Sequence, residues 1–356
     1  MRHQIYHVRY LILFVIIVML YILYSTLSSE QNHPIIYEFP KKGILERKRI
    51  LFWTTVFGNK VKEEFNNFPE DFPKCPEFKS KRPNQLYIFF AMESPVHSGR
   101  PTFPKKLFNW TMTFTRDSDV QARYGTYFMK TAEAKALGLQ IQNFSVDEKR
   151  YVKKSSGIFW LVSNCKTTSK RERAIGELSK YLNVKIAGGC ANTAEDRKIC
   201  PQGDSCDDIF ESYPFYVAVE NSICTDYVTE KLFSRVHIPS IPIVMKRKIY
   251  EDLGIPPEMF IAMDDFKGPK QLAQYLNMLQ TNMTAYKKHM KWRESEWTMT
   301  VANELGYRTG LCHLCERLWE PTRTPKTIAD VMYQYGVSAK CEDDDNGPFV
   351  ERWISQ

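Results

Sequence analysis

Two phosphate-binding signatures are missing from the 356 residues, since neither GxxxxGK(S/T) nor GxGxxG occurs. The phosphate-loop and dinucleotide readings lose their support. No basic run exceeds a few residues, and no zinc-finger or RNA-binding signature accompanies the formal charge of +8, so no nucleic-acid partner is indicated. Cys312-His-Leu-Cys315 stands without a second CxxC or a His pair at zinc spacing. The charge is left to a phosphate-bearing substrate or a generally basic surface, and composition leaves both open. Disorder is excluded by 43% hydrophobic and 13% aromatic residues, and the length suggests about two domains.

Residues 10–27 carry no charge and are almost all apolar, so as a helix they span ~27 Å at ~1.5 Å per residue. Arg2 and Arg9 precede this run while Glu30, Lys41 and Lys42 follow it, which favours a cytosolic N-terminus and a type II anchor. The alternative is a cleaved signal peptide ending near Ser25, Ser28 and Ser29, although the run exceeds the usual apolar region of one. The topology places all nine cysteines in an oxidising lumen and leaves at least one without an intramolecular partner. Cys190, Cys200, Cys206 and Cys224 are expected to pair among themselves, and Cys75 with Cys312 or Cys315, although sequence does not fix connectivity. Sequons at Asn109, Asn143 and Asn282 fit the same address.

In chain order the expected organisation is a cytosolic tail 1–9, the anchor 10–27, a polar stem 28–48, a first domain 49–150, a second domain 151–320, and a tail 321–356 that packs back or is partly ordered. Unbroken apolar runs at 49–55, 85–91, 157–163, 215–219, 241–245 and 260–263 read as strands covered on both faces. Mixed or helical segments lie between them, which argues for an α/β protein with the boundary near the charged stretch 147–156. Glu93 follows the second run, at the carboxyl end of a strand, where open α/β sheets hold their ligands; a cap or turn acid is the alternative. Asp117-Ser-Asp119 has the spelling of a metal-chelating pair, but a Ser/Asp turn spells the same and is favoured.

Ser169 to Glu172 spell a capping box ahead of apolar residues at helical spacing, which puts Arg171 in a first helical turn. FYVAVEN, 215–221, runs into DYVTEKLF, 226–233, so Lys231 and Glu230 also fall at a helix start. Helix N-termini present unpaired N–H groups and a positive pole. Two strand–loop–helix units, each with a cation at its helix start, suit a diphosphate. Solvated surface charges are the alternative. Pro269 fits a first helical position before the apolar face of Leu272, Tyr275, Leu276 and Leu279.

FYVAVEN with DYVTEKLF resembles the donor-binding signature of the α-1,3/4-fucosyltransferases, glycosyltransferase family 10. The MESPVH and LFNWTMTFTRDSDVQARYG segments, the LVSNC segment leading to Arg171, and the CxxC near the end resemble the same family in matching order, so the likeness covers about residues 49–320. The chain departs from the family pattern at Arg123, 235–242 and 245–248. The resemblance implies a Golgi type II membrane enzyme of GT-B architecture, two Rossmann-like domains facing across a cleft. It implies that Glu93 is the base, that Arg171, Asn221, Tyr227, Glu230 and Lys231 bind GDP-fucose, and that L-fucose passes with inversion to the 3-hydroxyl of GlcNAc in N-glycans or related chains. The implied partners are that donor, a glycoprotein acceptor and the bilayer. No metal is required, though a divalent ion such as Mn or Mg can stimulate. A catalytically silent glycan-binding relative and a transferase using another nucleotide sugar are the alternatives.

Overall fold

The apolar runs at 85–91, 157–163, 215–219, 241–245 and 260–263 supply five strands of two parallel sheets, and three further strands of those sheets lie outside the runs. In the first, β1 (Ile88–Ala91) pairs with β2 (Trp110–Thr113), and β2 with β3 (Val120–Gln121), all parallel. β4 (Phe128–Lys130) instead pairs antiparallel with the distant β10 (Trp297–Met299). The computed structural model describes residues 85–356 apart from 100, 126–127, 138–140, 143, 154, 202, 295, 300–309, 321–325 and 343–348 and the side chains of 311 and 312. The expected anchor, the stem, the strand at 49–55, Cys75, the Cys312 side chain and Asn143 lie outside the described residues. No helix among the described residues is long and apolar enough to cross a membrane. Leu86–Gln356 forms one compact unit.

The second sheet holds β5 (Ile158–Leu161), β6 (Val184–Ala187), β7 (Phe215–Val217), β8 (Ile241–Val244) and β9 (Ile261–Ala262), in the spatial order β6-β5-β7-β8-β9, all parallel. This is the 2-1-3-4-5 order of doubly wound sheets, whose direction of winding reverses between the first and third strands. Alternate side chains enter separate cores, as a strand's period of two requires. Ile158, Trp160, Phe215, Val217 and Ile243 face one core with helices Arg171–Leu178 and Pro269–Thr281. Phe159, Tyr216, Val244 and Phe260 face the other, with Phe210, Leu232 and Tyr250 from three short helices. Burial on both faces is why these strands read as unbroken apolar runs. Pro242 lies in the sheet interior, but pairing with β9 begins only at Ile243, so its missing N–H breaks no ladder bond there.

Pro269 is the first residue of its helix, and Leu272, Leu276 and Leu279 are buried, each contributing about 1.5–3 kcal/mol of transfer free energy. The capping box at 169–172 does not form. Lys170 precedes the helix in the left-handed region at φ 55°, the Ser169 hydroxyl donates to the Glu220 carbonyl at 2.7 Å, and Glu172 accepts from Thr167 Oγ1 at 3.0 Å. The loop ahead of the helix closes on the end of β7, and that contact takes the serine away.

The disulfides also differ from expectation. Cys200 bonds to Cys206, within the expected set, but Cys190 bonds to Cys165 and Cys224 to Cys341. β5 and β6 are parallel neighbours, so the loops leaving their carboxyl ends lie side by side and bring the Cα atoms of Cys165 and Cys190 to 5.4 Å. Cys341 comes from the last part of the chain, which returns across both sheets. Helix Val331–Ala339 packs with Phe89 and Phe114, and helix Phe349–Ile354 buries Trp353 in the core beside helix Arg171–Leu178.

Candidate active site

Glu93 lies two residues past β1. Its carboxylate accepts from the Tyr227 hydroxyl at 2.9 Å on one oxygen and from the Tyr124 hydroxyl at 3.4 Å on the other. Burial, reinforced by the facing carboxylate charge, pushes both phenols well above their ordinary range, so both remain donors at neutral pH. The neighbouring residues close on the loop after β7: the Ser94 and Ser222 hydroxyls are 2.7 Å apart, and His97 Nε2 lies 3.1 Å from the Asn221 carbonyl. A strand end of the first sheet thus meets a strand end of the second, and this meeting adjoins the place where the winding of the second sheet reverses.

Asp226 holds Tyr227 in this position. It is 6% exposed and has a left-handed backbone at φ 64°, and it accepts at 2.8 Å from both the backbone N–H and Nε of Arg116. Gly125, beside Tyr124, lies so close to Phe233 that a Cβ there would stand 2.1 Å from the ring. Only glycine allows the Tyr124 segment to lie against helix Glu230–Phe233.

Lys231 and Glu230 open that helix, whose N-cap is Thr229. Lys231 Nζ lies 3.0 Å from a Glu220 oxygen, 3.0 Å from a Glu230 oxygen and 2.9 Å from Thr229 Oγ1. Glu220 is 5% exposed and also accepts from the Thr229 N–H at 2.8 Å and hydroxyl at 2.9 Å. Burial pushes its carboxyl above the ordinary range, while Lys231 pulls it back. Burial works to lower the Lys231 ammonium pKa, but the two carboxylates together outweigh it and raise it, which keeps the group charged. Half of the Glu230 side chain remains exposed, at 51%.

Arg171 is the first residue of its helix, as expected, and 4% exposed. Nη1 donates to the Val219 carbonyl at 3.0 Å and Nη2 to the Asn164 carbonyl at 3.2 Å, so the guanidinium joins the loops that leave β7 and β5. Burial lowers its pKa, and Glu220 opposes the shift. Its Nε is buried without a partner, and so is Asn221 Oδ1, one donor at a helix start and one acceptor in the loop after β7. The Asn221 main-chain carbonyl accepts from the Ser169 N–H and from Thr168 Oγ1 at 3.1 Å.

The six residues taken from the sequence therefore lie on two strand–loop–helix units and the strand end facing them. The acid-x-acid pair does not join them. Asp119 accepts from Lys326 Nζ at 2.8 Å and from the Thr111 N–H at 2.9 Å, with its side chain 7% exposed, which fits the turn reading. Among the described residues no cluster of His, Cys, Asp and Glu has the arrangement of a metal site. Sequence reasoning missed Glu220, Tyr124 and Tyr335, whose hydroxyl donates to the Glu93 carbonyl. Glu220 carried a readable signal, because it stands at the end of a buried strand as Glu93 does. Tyr335 carried none, being 242 residues away in the chain. Of the sequons, Asn109 spends its amide nitrogen on the Lys326 carbonyl at 2.8 Å, while Asn282 is an exposed helix cap.

Two family models match the chain: "Glycosyltransferase family 10 (fucosyltransferase) C-term" over residues 151–334 and "Fucosyltransferase, N-terminal" over 58–125. The α-(1,3)-fucosyltransferase fut-1 of Caenorhabditis elegans is 38% identical over 249 residues, 68% of this chain and 55% of that protein. The α-(1,3)-fucosyltransferase fut-5 of the same organism is 32% identical over 273 residues, 74% of this chain and 68% of that protein. The 4-galactosyl-N-acetylglucosaminide 3-α-L-fucosyltransferase 9 of Rattus norvegicus is 30% identical over 251 residues, 70% of this chain and 63% of that protein. The matched regions thus span 55–68% of the length of these relatives. A solved α1,3-fucosyltransferase with GDP-fucose superposes with a TM-score of 0.46 at 16% identity, over 68% of this chain and 78% of that one, a likeness too slight to build on. The first model alone covers more than half of the chain, and with it the chain belongs to glycosyltransferase family 10.

Proposed function

We propose that the chain transfers L-fucose from GDP-β-L-fucose to the 3-hydroxyl of a GlcNAc residue on N-glycans or related chains, with inversion. The observation that carries this reading is the Tyr227–Glu93 hydrogen bond of 2.9 Å, which sets a carboxylate against the loop that follows β7. Membership of the family, and relatives named for α-1,3 fucosyl transfer, supply the donor and the linkage. The doubly wound sheet serves as the donor half of a GT-B architecture and the β1–β3 sheet as part of the acceptor half.

Glu93 takes the proton from the acceptor hydroxyl as that oxygen attacks the anomeric carbon, and GDP departs from the opposite face. Tyr227 and Tyr124 orient the carboxylate through their hydroxyls. The charge that develops on the departing diphosphate is met by Arg171 and Lys231, fixed before the reaction begins. Lys231 turns from Glu230 to a phosphate oxygen while Glu220, buried, keeps its hold on the ammonium. Glu230, half exposed, is then available to ribose or fucose hydroxyls, and Asn221 Oδ1 to a donor group on the ligand. Arg171 and Lys231 carry the positive charge that a divalent ion would bring, so added Mn or Mg is expected at most to stimulate. The uncharged run at 10–27 supports a type II Golgi membrane anchor with this unit in the lumen, where the three disulfides persist.

Glu93→Gln is the direct test. Transfer from GDP-fucose to defined N-glycans, read by mass spectrometry, is expected to fall by about 10²–10⁴-fold, with GDP affinity unchanged. Near-normal turnover would remove Glu93 from the role of base.

A further inference from the structure

Helix Val331–Ala339 touches both halves of the site at once. Its inward residues Val331, Tyr335 and Ala339 recur every fourth position and pack with Phe89, Phe114 and Tyr227. The Tyr335 ring meets Phe89 edge-on at 5.4 Å and Phe114 at 5.9 Å, and its hydroxyl donates to the main-chain carbonyl of Glu93. At the other end Lys340 adopts a left-handed backbone, φ 44°, and turns the chain onto the loop after β7. Three links form there within three residues: the Thr225 N–H donates to the Ala339 carbonyl at 2.7 Å, the Glu342 N–H to the Ile223 carbonyl at 2.8 Å, and Cys341 bonds to Cys224. Cys224 lies between Asn221 and Tyr227. Tyr335 and Cys341 fall beyond residue 334, where the match to the family model ends.

We propose that this segment is a strut for the transfer site, with Tyr335 and the Cys224–Cys341 bond as positioning residues that hold the Glu93 strand end and the donor loop in register. The proposal rests on the fucosyl-transfer reading. Neither residue touches the reacting atoms; Tyr335 acts through the Glu93 backbone and the disulfide through the loop carrying Asn221 and Tyr227. The two ends of the strut therefore have separate kinetic signatures. Loss of the Tyr335 hydroxyl loosens the base, which is needed only as the acceptor attacks. Loss of the disulfide loosens the loop that meets the nucleotide sugar.

The test uses the full chain and measures kcat, KM for GDP-fucose, Kd for GDP by calorimetry and Tm. Tyr335→Phe keeps the ring and is expected to lower kcat about fivefold with KM and GDP affinity unchanged, the effect of one hydrogen bond. Cys341→Ser is expected to raise KM and the GDP Kd about fivefold or more. Cys224→Ser and the double variant should match it, because one link cannot be lost twice. A disulfide that only stabilised the fold would lower Tm and leave KM and Kd at wild-type values; that result, or wild-type kcat in Tyr335→Phe, overturns the strut. If Cys341→Ser does not fold, Tyr335→Phe decides alone. A wild-type chain that binds GDP but transfers no fucose refutes the transfer reading, and the Kd of Cys341→Ser still judges the strut.

Discussion

Lys231 has three neighbours at about hydrogen-bond distance and two of them are carboxylates, so the pole proposed to meet a diphosphate is already balanced within the protein. The buried partner matters most. Removing the ammonium in Lys231→Ala leaves Glu220, 5% exposed, hydrogen-bonded by the hydroxyl and amide of Thr229 but without its ion-pair partner, at a cost of about 3 kcal/mol. Adding Glu220→Gln should return much of that loss, because a neutral amide needs no counter-charge, and urea midpoints of the two singles and the double measure the coupling. Full additivity would mean that the pair does not interact. The sign with pH follows from burial, which raises the Glu220 carboxyl above its unfolded value. A group raised in this way stabilises in its protonated form, so the deficit of Lys231→Ala should shrink as pH falls through the folded value and grow as pH rises through it. The same variant should weaken GDP binding roughly tenfold or more, the loss of a charge-assisted bond, read by calorimetry. At this scale the placement of Glu93 past a strand end and of Arg171 and Lys231 at helix starts was legible, because these are local features of sequence. Their partners were not, since Val219, Tyr124 and Tyr335 reach them only through the tertiary fold.

At the scale of elements, four strands of the second sheet lie where unbroken apolar runs put them, because burial on both faces favours apolar side chains throughout, whereas the edge strand β6, half-buried and carrying Lys185, gave no such run. The helix beginning at Pro269 was equally legible, from its fixed φ and its apolar period. The start of helix Arg171–Leu178 was right in place and wrong in mechanism. Serine and glutamate at capping-box spacing can bond elsewhere when a loop offers other partners, and here the Glu220 carbonyl and Thr167 hydroxyl do so. One element end carries a pH response. His289 closes helix Met283–Lys288, with Nδ1 2.8 Å from the Glu258 carbonyl and Nε2 2.9 Å from the Tyr275 hydroxyl. These partners suit a neutral ring that donates from Nδ1 and accepts at Nε2, a tautomer inferred from the contacts. Burial lowers its pKa below the ordinary 6.5, so the unfolded chain binds the proton first. The contribution to stability is whole above about pH 6.5 and falls away below it towards the folded value. His289→Gln should flatten that part of the urea-midpoint profile between pH 7.5 and 5.5, and an unchanged slope would assign the acid response to other groups.

Across the whole unit, the last residues of the chain serve two separate purposes, and the difference can be measured. Helix Val331–Ala339 packs with Phe89 and Phe114 on the first sheet's side, against Glu93 and the loop after β7. Helix Phe349–Ile354 lies on the core of the doubly wound sheet, where Trp353 is 3% exposed and donates from its indole to the Phe266 carbonyl at 3.1 Å. Glu351 adds ion pairs to Arg173 and, at 3.5 Å, to Lys170, although partly exposed pairs of this kind contribute little. That the tail packs back was one of the two expectations for it, but where it packs was not legible, because the disulfide that anchors it joins cysteines 117 residues apart and apolar periodicity says nothing of which sheet a helix covers. Trp353→Ala leaves a large cavity under helices Arg171–Leu178 and Pro269–Thr281, and should cost about 3–5 kcal/mol in unfolding free energy. Its kinetics should not follow. The Trp353 indole bonds to the Phe266 carbonyl rather than to Glu93, so the folded fraction should keep wild-type kcat and KM for GDP-fucose, whereas Tyr335→Phe should change kcat and barely move the urea midpoint. Reversed outcomes for the two substitutions would mean that the terminal helix, rather than the one before it, holds the site in register.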